Sequence, residues 1–313
     1  MKNRFNINPP FVVVVVLVAV TAGLNLSSVA VGSAHASAQD PASCLELVRA
    51  AVANEVAASD NSKKHMFRAR KQTAQGSQTR LYVETREALA GMTIAYNDKP
   101  STPQDIQGEE GRLAGLAGNA EQLRRKHSQE QENAERTLRI VKALPDAFLY
   151  QYDGEETAES GVGTQRQLLR LSFHPNPAYQ PPTHAEQVLV GMAGFVVIDP
   201  IARRIAKIDG TLFKEVAFGW GILGHLDKGG HFLVEQRDIG NDCWDISRMS
   251  LSFTGKILLF KTLSIKSDEV FSDFRTVPEG TTFAQGVEML KAEEVKLAQN
   301  RTVETLNPES RSH

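Results

Sequence analysis

The spacing of apolar and polar positions along this chain changes several times, and the changes divide it into elements. Phe11 to Val20 is an unbroken apolar run. Residues 41–57 then carry Leu45, Val48, Val52 and Val56 at helical spacing, with Pro41 suited to the first turn, and predict a helix that Ser59-Asp60-Asn61-Ser62 ends. Three strand-like segments follow at 64–73, 79–88 and 91–97. In the second, Leu81, Val83 and Thr85 alternate with Arg80, Tyr82, Glu84 and Arg86. The third places Met92, Ile94 and Tyr96 on one face, Ala90-Gly91 suits a hairpin, and Asn97-Asp98-Lys99-Pro100 suits a turn.

Residues 103–144 revert to helical spacing. Pro103 fits the first position of a helix capped by Ser101 or Thr102, although Gly111, Gly115 and Gly118 weaken it. The following piece, 119–143, is charged throughout, with a thin stripe of Leu123, Ala134, Leu138 and Val141. Its charge run reads as a solvated helix face.

From Pro145 the period becomes two. Strands are expected at 147–154, 165–173, 187–198, 203–208, 212–218, 231–238, 244–254 and 256–265, with hairpin turns at Asp199 to Ala202 and near Gly255. No gap among them is long enough for a crossover helix, so parallel βαβ units are excluded here. The expected fold class is α+β: a large antiparallel sheet, an N-terminal helix, an inserted helical pair at 103–144 and a late helix at 283–298. The polar residues 299–313 are expected to fray.

The N-terminus adds a destination. Lys2 and Arg4, the apolar run and Ala34-His35-Ala36 form the three parts of a secretory signal spanning residues 1–36, with Ala36-Ser37-Ala38 as a second cut site. The alternative is an uncleaved anchor through the uncharged span from Phe11 to Gly32. Cys44 lies beyond the cut and does not fit a lipid-attachment site. The expected product is periplasmic, with one domain over 37–298. Losing Lys2 and Arg4 takes the formal net charge from −2 to −4, and no basic face emerges, which argues against nucleic acid as a partner. Cys44 and Cys243 form an even pair; in an oxidising compartment they suggest one disulfide, the alternative being two separate buried thiols.

Candidate chemistry is sparse. Gly219-Trp220-Gly221-Ile222-Leu223-Gly224 spells a dinucleotide fingerprint, but Asp227-Lys228-Gly229-Gly230 interrupts the chain where the required helix would begin. The glycines are instead expected to serve a turn or a close backbone approach. His225 and His231 with Glu235 are the nearest approach to a metal cluster, at a spacing that fits no specific site, so no metal or cofactor is assigned. His174 and His184 flank a stiff loop containing Pro175, Pro177, Pro181 and Pro182. Neither a nucleophile elbow nor an H-E-x-x-H motif is present. Asp199, Asp209, Asp227 and Asp238 fall mostly at expected turns, and no catalytic residue is nominated.

Gly194-Phe195-Val196-Val197-Ile198-Asp199 followed by Arg204-Ile205-Ala206-Lys207-Ile208, and Val270-Phe271-Ser272-Asp273-Phe274, resemble segments of the periplasmic lipoprotein-carrier superfamily typified by LolA and LolB. The resemblance implies an unclosed, curved antiparallel half-barrel with helices plugging its hollow and an acyl chain held there. On that basis the expected partner is a lipid or an acylated protein, with transient membrane contact. The expected cavity residues are large apolar groups on strands or in the glycine loop: Phe195, Val197, Phe218, Trp220, Ile222, Leu223, Phe232, Trp244 and Phe253. Two other readings stand beside it: an envelope structural or interaction protein with a filled core, and a hydrolase using the His225/His231 region.

Overall fold

A computed structural model describes residues 40–60, 63–159, 165–219, 223–240, 243–257 and 261–306. The secretory signal expected over residues 1–36 lies outside the described residues. The chain begins with α1 (Pro41–Asp60), β1 (His65–Thr73), β2 (Gly76–Glu84), β3 (Leu89–Tyr96) and β4 (Lys99–Pro100). The helical pair α2 (Pro103–Ala117) and α3 (Ala120–Ala147) precedes β5 (Phe148–Glu159) and β6 (Gln165–Pro175). A 3-10 turn (Glu186–Gly191) leads into β7 (Met192–Asp199), β8 (Arg204–Leu212), β9 (Val216–Phe218) and β10 (Gly224–Leu226). β11 (His231–Asp238), β12 (Trp244–Ile257), β13 (Lys261–Thr276) and α4 (Phe283–Leu306) complete the order.

The fold is α+β, with a large antiparallel sheet that does not close. Its hydrogen-bonded order is β4-β3-β2-β1-β13-β12-β11-β8-β7-β6-β5, with β10 branching from β12 and β9 from β10. The chain divides into two compact units. One comprises Met1–Ser62 with Gln131–Asp268, the other Lys63–Glu130 with Glu269–His313, so α3 and β13 each contribute to both.

In the second unit, α2 and α4 cover β2 and β3. Thr102 caps α2 as expected, its side chain and that of Asp105 exchanging bonds with the backbone in a capping box. Leu81, Val83, Met92 and Leu113 form the core with Phe283, Val287 and Leu290. On the other side of the strands Phe67 stacks on Tyr82 and Phe274, at centroid distances of 5.3 and 5.6 Å. The outer edge of β3 meets β4 only at Ala95 and Tyr96. Helix side chains engage three further backbone groups of β3. Glu130 accepts from the Leu89 amide at 3.0 Å and Glu109 from the Thr93 amide at 2.9 Å, while Arg112 donates to the Gly91 carbonyl at 2.7 Å.

In the first unit, α1 buries Cys44, Val48, Ala51, Val52, Glu55 and Ala58, one helical stripe offset slightly from the expected one. The buried stripe of α3 is confined to its end: Thr137, Ile140, Val141 and Leu144 are buried, while Ala134 is exposed. The turn at Asp199 to Ala202 forms as expected. Asp199 Oδ1 accepts from the Ile201 and Ala202 amides, at 2.9 and 2.8 Å.

Three expected elements are corrected. Residues 187–191 are 3-10 rather than strand, because Glu186 reaches back to accept from the Thr183 amide at 2.9 Å and starts a helical turn. The strand expected at 212–218 is split: Leu212 ends β8, and β9 begins only at Val216. The hairpin near Gly255 does not form there. β12 continues to Ile257 because Gly255 pairs with Leu226 of β10, and a Cβ on Gly255 would lie 2.1 Å from the His225 carbonyl oxygen. A glycine there admits a neighbouring backbone that any other residue would exclude. α4 also runs past 298 to Leu306, with Arg301 paired to Glu294 at 3.4 Å.

This close approach makes Gly255→Ala destabilising. Urea denaturation should show a loss of about 1–3 kcal/mol, the range for forcing extra volume into packed structure. A change within experimental error would mean that β10 can shift away from β12 freely.

Candidate functional site

The register of the first unit's sheet sets its two faces. Tyr150, Phe173, Gly194 and Gly210 stand opposite one another across β5 to β8, and Phe232 continues the row on β11. The next row is Leu171, Val196, Ile208 and Val234. α1 and the end of α3 lie on this face, and a cavity of about 70 Å³ remains between the layers. Phe148, Phe173, Met192, Ile208, Phe232 and Val234 line its sheet side. Thr137, Ile140, Val141 and Leu144 of α3 line its helix side. The Phe232 ring lies across Gly210, where a Cβ would come within 2.4 Å of it. The absent side chain therefore makes room for the ring.

One charged group borders this apolar space. Glu55, on the buried face of α1, is 3% exposed. Its carboxylate meets Arg204 in a two-pronged pair at 2.8 and 2.9 Å and also accepts from the Ile205 amide at 3.0 Å. Asn54, beside it, donates to the Arg203 carbonyl at 3.1 Å. α1 is thereby fixed to the start of β8. Nearby, Arg166 bridges Asp199 and Asp238, each at 3.0 Å. The guanidinium carbons of Arg166 and Arg204 lie 5.8 and 5.9 Å from the centre of the Trp244 ring. Asp238 Oδ1 accepts from the Gly240 amide at 2.8 Å, so both aspartates cap turns while sharing one arginine. The end of α3 is tied by Tyr150, whose hydroxyl donates to the Leu144 carbonyl at 2.8 Å. Burial, reinforced by Asp146, raises the Tyr150 phenol far above its usual range, so it stays a donor at any ordinary pH.

The expected cavity residues are dispersed. Phe232 lines the cavity. Phe253 is buried on β12, its ring against Gly230. Phe195 and Val197 alternate with Val196 and so point to the opposite face. There Val197 and Trp244 form a separate cluster with Leu168 and Ala206, against which Phe195 packs. The Arg170 guanidinium sits 3.8 Å from the centre of the Phe195 ring. Phe218 is half-buried on β9 and Leu223 is 46% exposed. Trp220 and Ile222 lie outside the described residues. Sequence reasoning missed Phe148, Phe173, Met192, Ile208 and Val234, and the α3 residues that cover them. β7 is apolar on both faces, so its alternation does not say which face the helices cover. The stripe at Ile140, Val141 and Leu144 was the available signal.

The histidine cluster does not assemble as considered. His231 binds Asp209 at 2.9 Å, and Glu235 faces Lys207 at 3.7 Å. Of the fingerprint-like glycines, Gly219 follows β9 and Gly224 opens β10, where it stands opposite Phe218, while Gly221 lies outside the described residues. Cys44 and Cys243 are both buried thiols in this structure. Burial, with Asp40 nearby, raises the Cys44 thiol above its ordinary value and makes it a poor nucleophile. The proline-rich loop borders an open depression of about 580 Å³ with Val190, Ala193, Phe213 and Lys214. Among the described residues no helix is long and apolar enough to cross a membrane. No protein-family model, curated protein or solved structure matches the chain.

The Glu55–Arg204 pair carries the sharpest energetic expectation. Arg204→Met should cost about 3–5 kcal/mol in urea denaturation, since it strands a buried carboxylate. Adding Glu55→Leu should recover part of that loss, with the Ile205 amide still lacking its acceptor at about 1–3 kcal/mol. A single variant as stable as the parent would show that Glu55 reaches water.

Proposed function

We propose that this protein binds a lipophilic ligand, an acyl chain of a lipid or of an acylated protein, between the sheet and the helices of its first unit. The observation that carries the reading is the apolar cavity: α3, otherwise charged, turns Ile140, Val141 and Leu144 onto a sheet face of aromatic and aliphatic groups. Each methylene buried there contributes about 0.8 kcal/mol. The resemblance of the β7–β8 segment to periplasmic lipoprotein carriers supports the same ligand class. Export by residues 1–36 supplies the compartment in which such a carrier works.

At about 70 Å³ the cavity is smaller than the roughly 150 Å³ void that admits a benzene ring. It accepts the end of a chain. Deeper insertion requires the end of α3 to move outward, away from Met192 and Phe232. The same small volume favours a second reading, an envelope structural or interaction protein whose core is filled.

Native mass spectrometry of the protein from its own periplasm, with titration of a fluorescent fatty acid, tests the proposal. The expected results are a co-purifying lipid mass and saturable probe binding. Val234→Phe, which fills the cavity while leaving the Glu55–Arg204 pair intact, should weaken the probe at least tenfold. Absence of both adduct and probe binding selects the filled-core reading. Unchanged affinity in a folded Val234→Phe protein overturns the location.

A further inference from the structure

The β9–β10 hairpin brings together three side chains that the cavity does not use. Its register pairs His225 with Ala217 and Leu226 with Val216, and Glu215 and Asp227 are the residues that flank this last pair. Residues two apart on a strand share a face, and Glu215, His225 and Asp227 therefore project to one side. Their donor atoms all lie within 4.8 Å of one another, with His225 Nε2 at 3.3 Å from Asp227 Oδ1. Two carboxylates held this close repel each other. Among the described residues no lysine or arginine forms an ion pair with either one. Lys214, next to Glu215, has its ammonium 5.6 Å from the centre of the Phe213 ring.

The geometry points to a divalent metal site formed by Glu215, His225 and Asp227, of a kind that takes zinc. One imidazole nitrogen and two carboxylate oxygens are suitable donors at about 2.0–2.2 Å from zinc, and three protein ligands leave a fourth position for water. Tetrahedral donors at that bond length are roughly 3.3 Å apart. Rotation of the exposed Glu215 side chain supplies the closing movement. The remaining positions are already set by the backbone: the Asp227 amide donates to the Thr254 carbonyl at 2.9 Å, and Gly224 lets β10 lie against β12. A bound dication removes the carboxylate repulsion and clasps the two short strands at their open end. The site is independent of the lipophilic cavity, since none of its three residues lines that space.

Isothermal titration of the full chain with zinc chloride tests the assignment. One zinc per chain is expected, with binding weakened at least tenfold in both His225→Ala and Asp227→Asn. His231→Ala, whose ring pairs with Asp209 instead, should bind zinc as the parent does. Circular dichroism of each variant checks that the fold survives, and Asp227→Asn keeps the side-chain shape should the histidine variant fail. A chain that takes up no zinc overturns the proposal. So does equal binding by folded His225→Ala and Asp227→Asn proteins, which would mark an adventitious surface ion.

Discussion

The buried pair of Glu55 and Arg204 is the interaction on which the first unit's architecture turns. An unpaired carboxylate on the sheet-facing stripe of α1 would be strongly unfavourable. The carboxylate is instead held by a guanidinium and a backbone amide, so the helix has one acceptable seat on the sheet. That seat sets how α1 lies over β8 and where the apolar space beside it ends. Arg204 opens β8 opposite Asp199, which caps the intervening turn and shares Arg166 with Asp238. Two hairpin turns and one helix are thus locked by five charged side chains grouped around the Trp244 ring.

This polar lock contrasts with the apolar packing beside it. Ridges of Ile, Val, Leu and Phe tolerate small shifts, whereas a two-pronged ion pair does not. α1 is held by the buried ion pair, and the end of α3 by a short apolar stripe, by the Tyr150 hydroxyl, by two hydrogen bonds from Asn176 to the Asp146 and Ala147 carbonyls, and by an exposed pair of Asp146 with Arg49 of α1 at 3.9 Å. Under the proposed lipophilic-ligand reading, α1 is the fixed wall and α3, whose ion pairs among the described residues are not buried, is the element that yields.

Much of the architecture is legible in the pattern of residues. Leu81 and Val83, Val196 and Ile198, and the capped start of α2 all follow from local periodicity and end chemistry. The site was less legible, for physical reasons. Phe195 and Val197 are as apolar as Val196 and Ile198, because both faces of β7 are covered. Register, which decides the face, is fixed by partner strands far away in sequence. Glu55 looks like an ordinary surface residue of an amphipathic helix, since its partner lies 149 positions on. Gly255 reads as a turn residue locally and proves to be a point where two backbones touch. The resemblance to lipoprotein carriers rests on segments of β7, β8 and β13, and none of those segments distinguishes a filled core from an open one.

The treatment of β3 bears on how this protein behaves at high concentration. An unsatisfied sheet margin recruits extended segments from other molecules and seeds fibrous aggregates. Here Glu109, Arg112 and Glu130 already occupy three of the outward backbone groups, so an incoming strand must first displace charge-assisted hydrogen bonds. The opposite margin, β5, carries Asp153, Glu155 and Glu156, charged side chains of the kind that blunt a sheet edge, with Arg170 of β6 pairing the first and the third at 2.8 and 3.1 Å. The sheet is thus guarded at both margins, by occupancy at one and by charged side chains at the other.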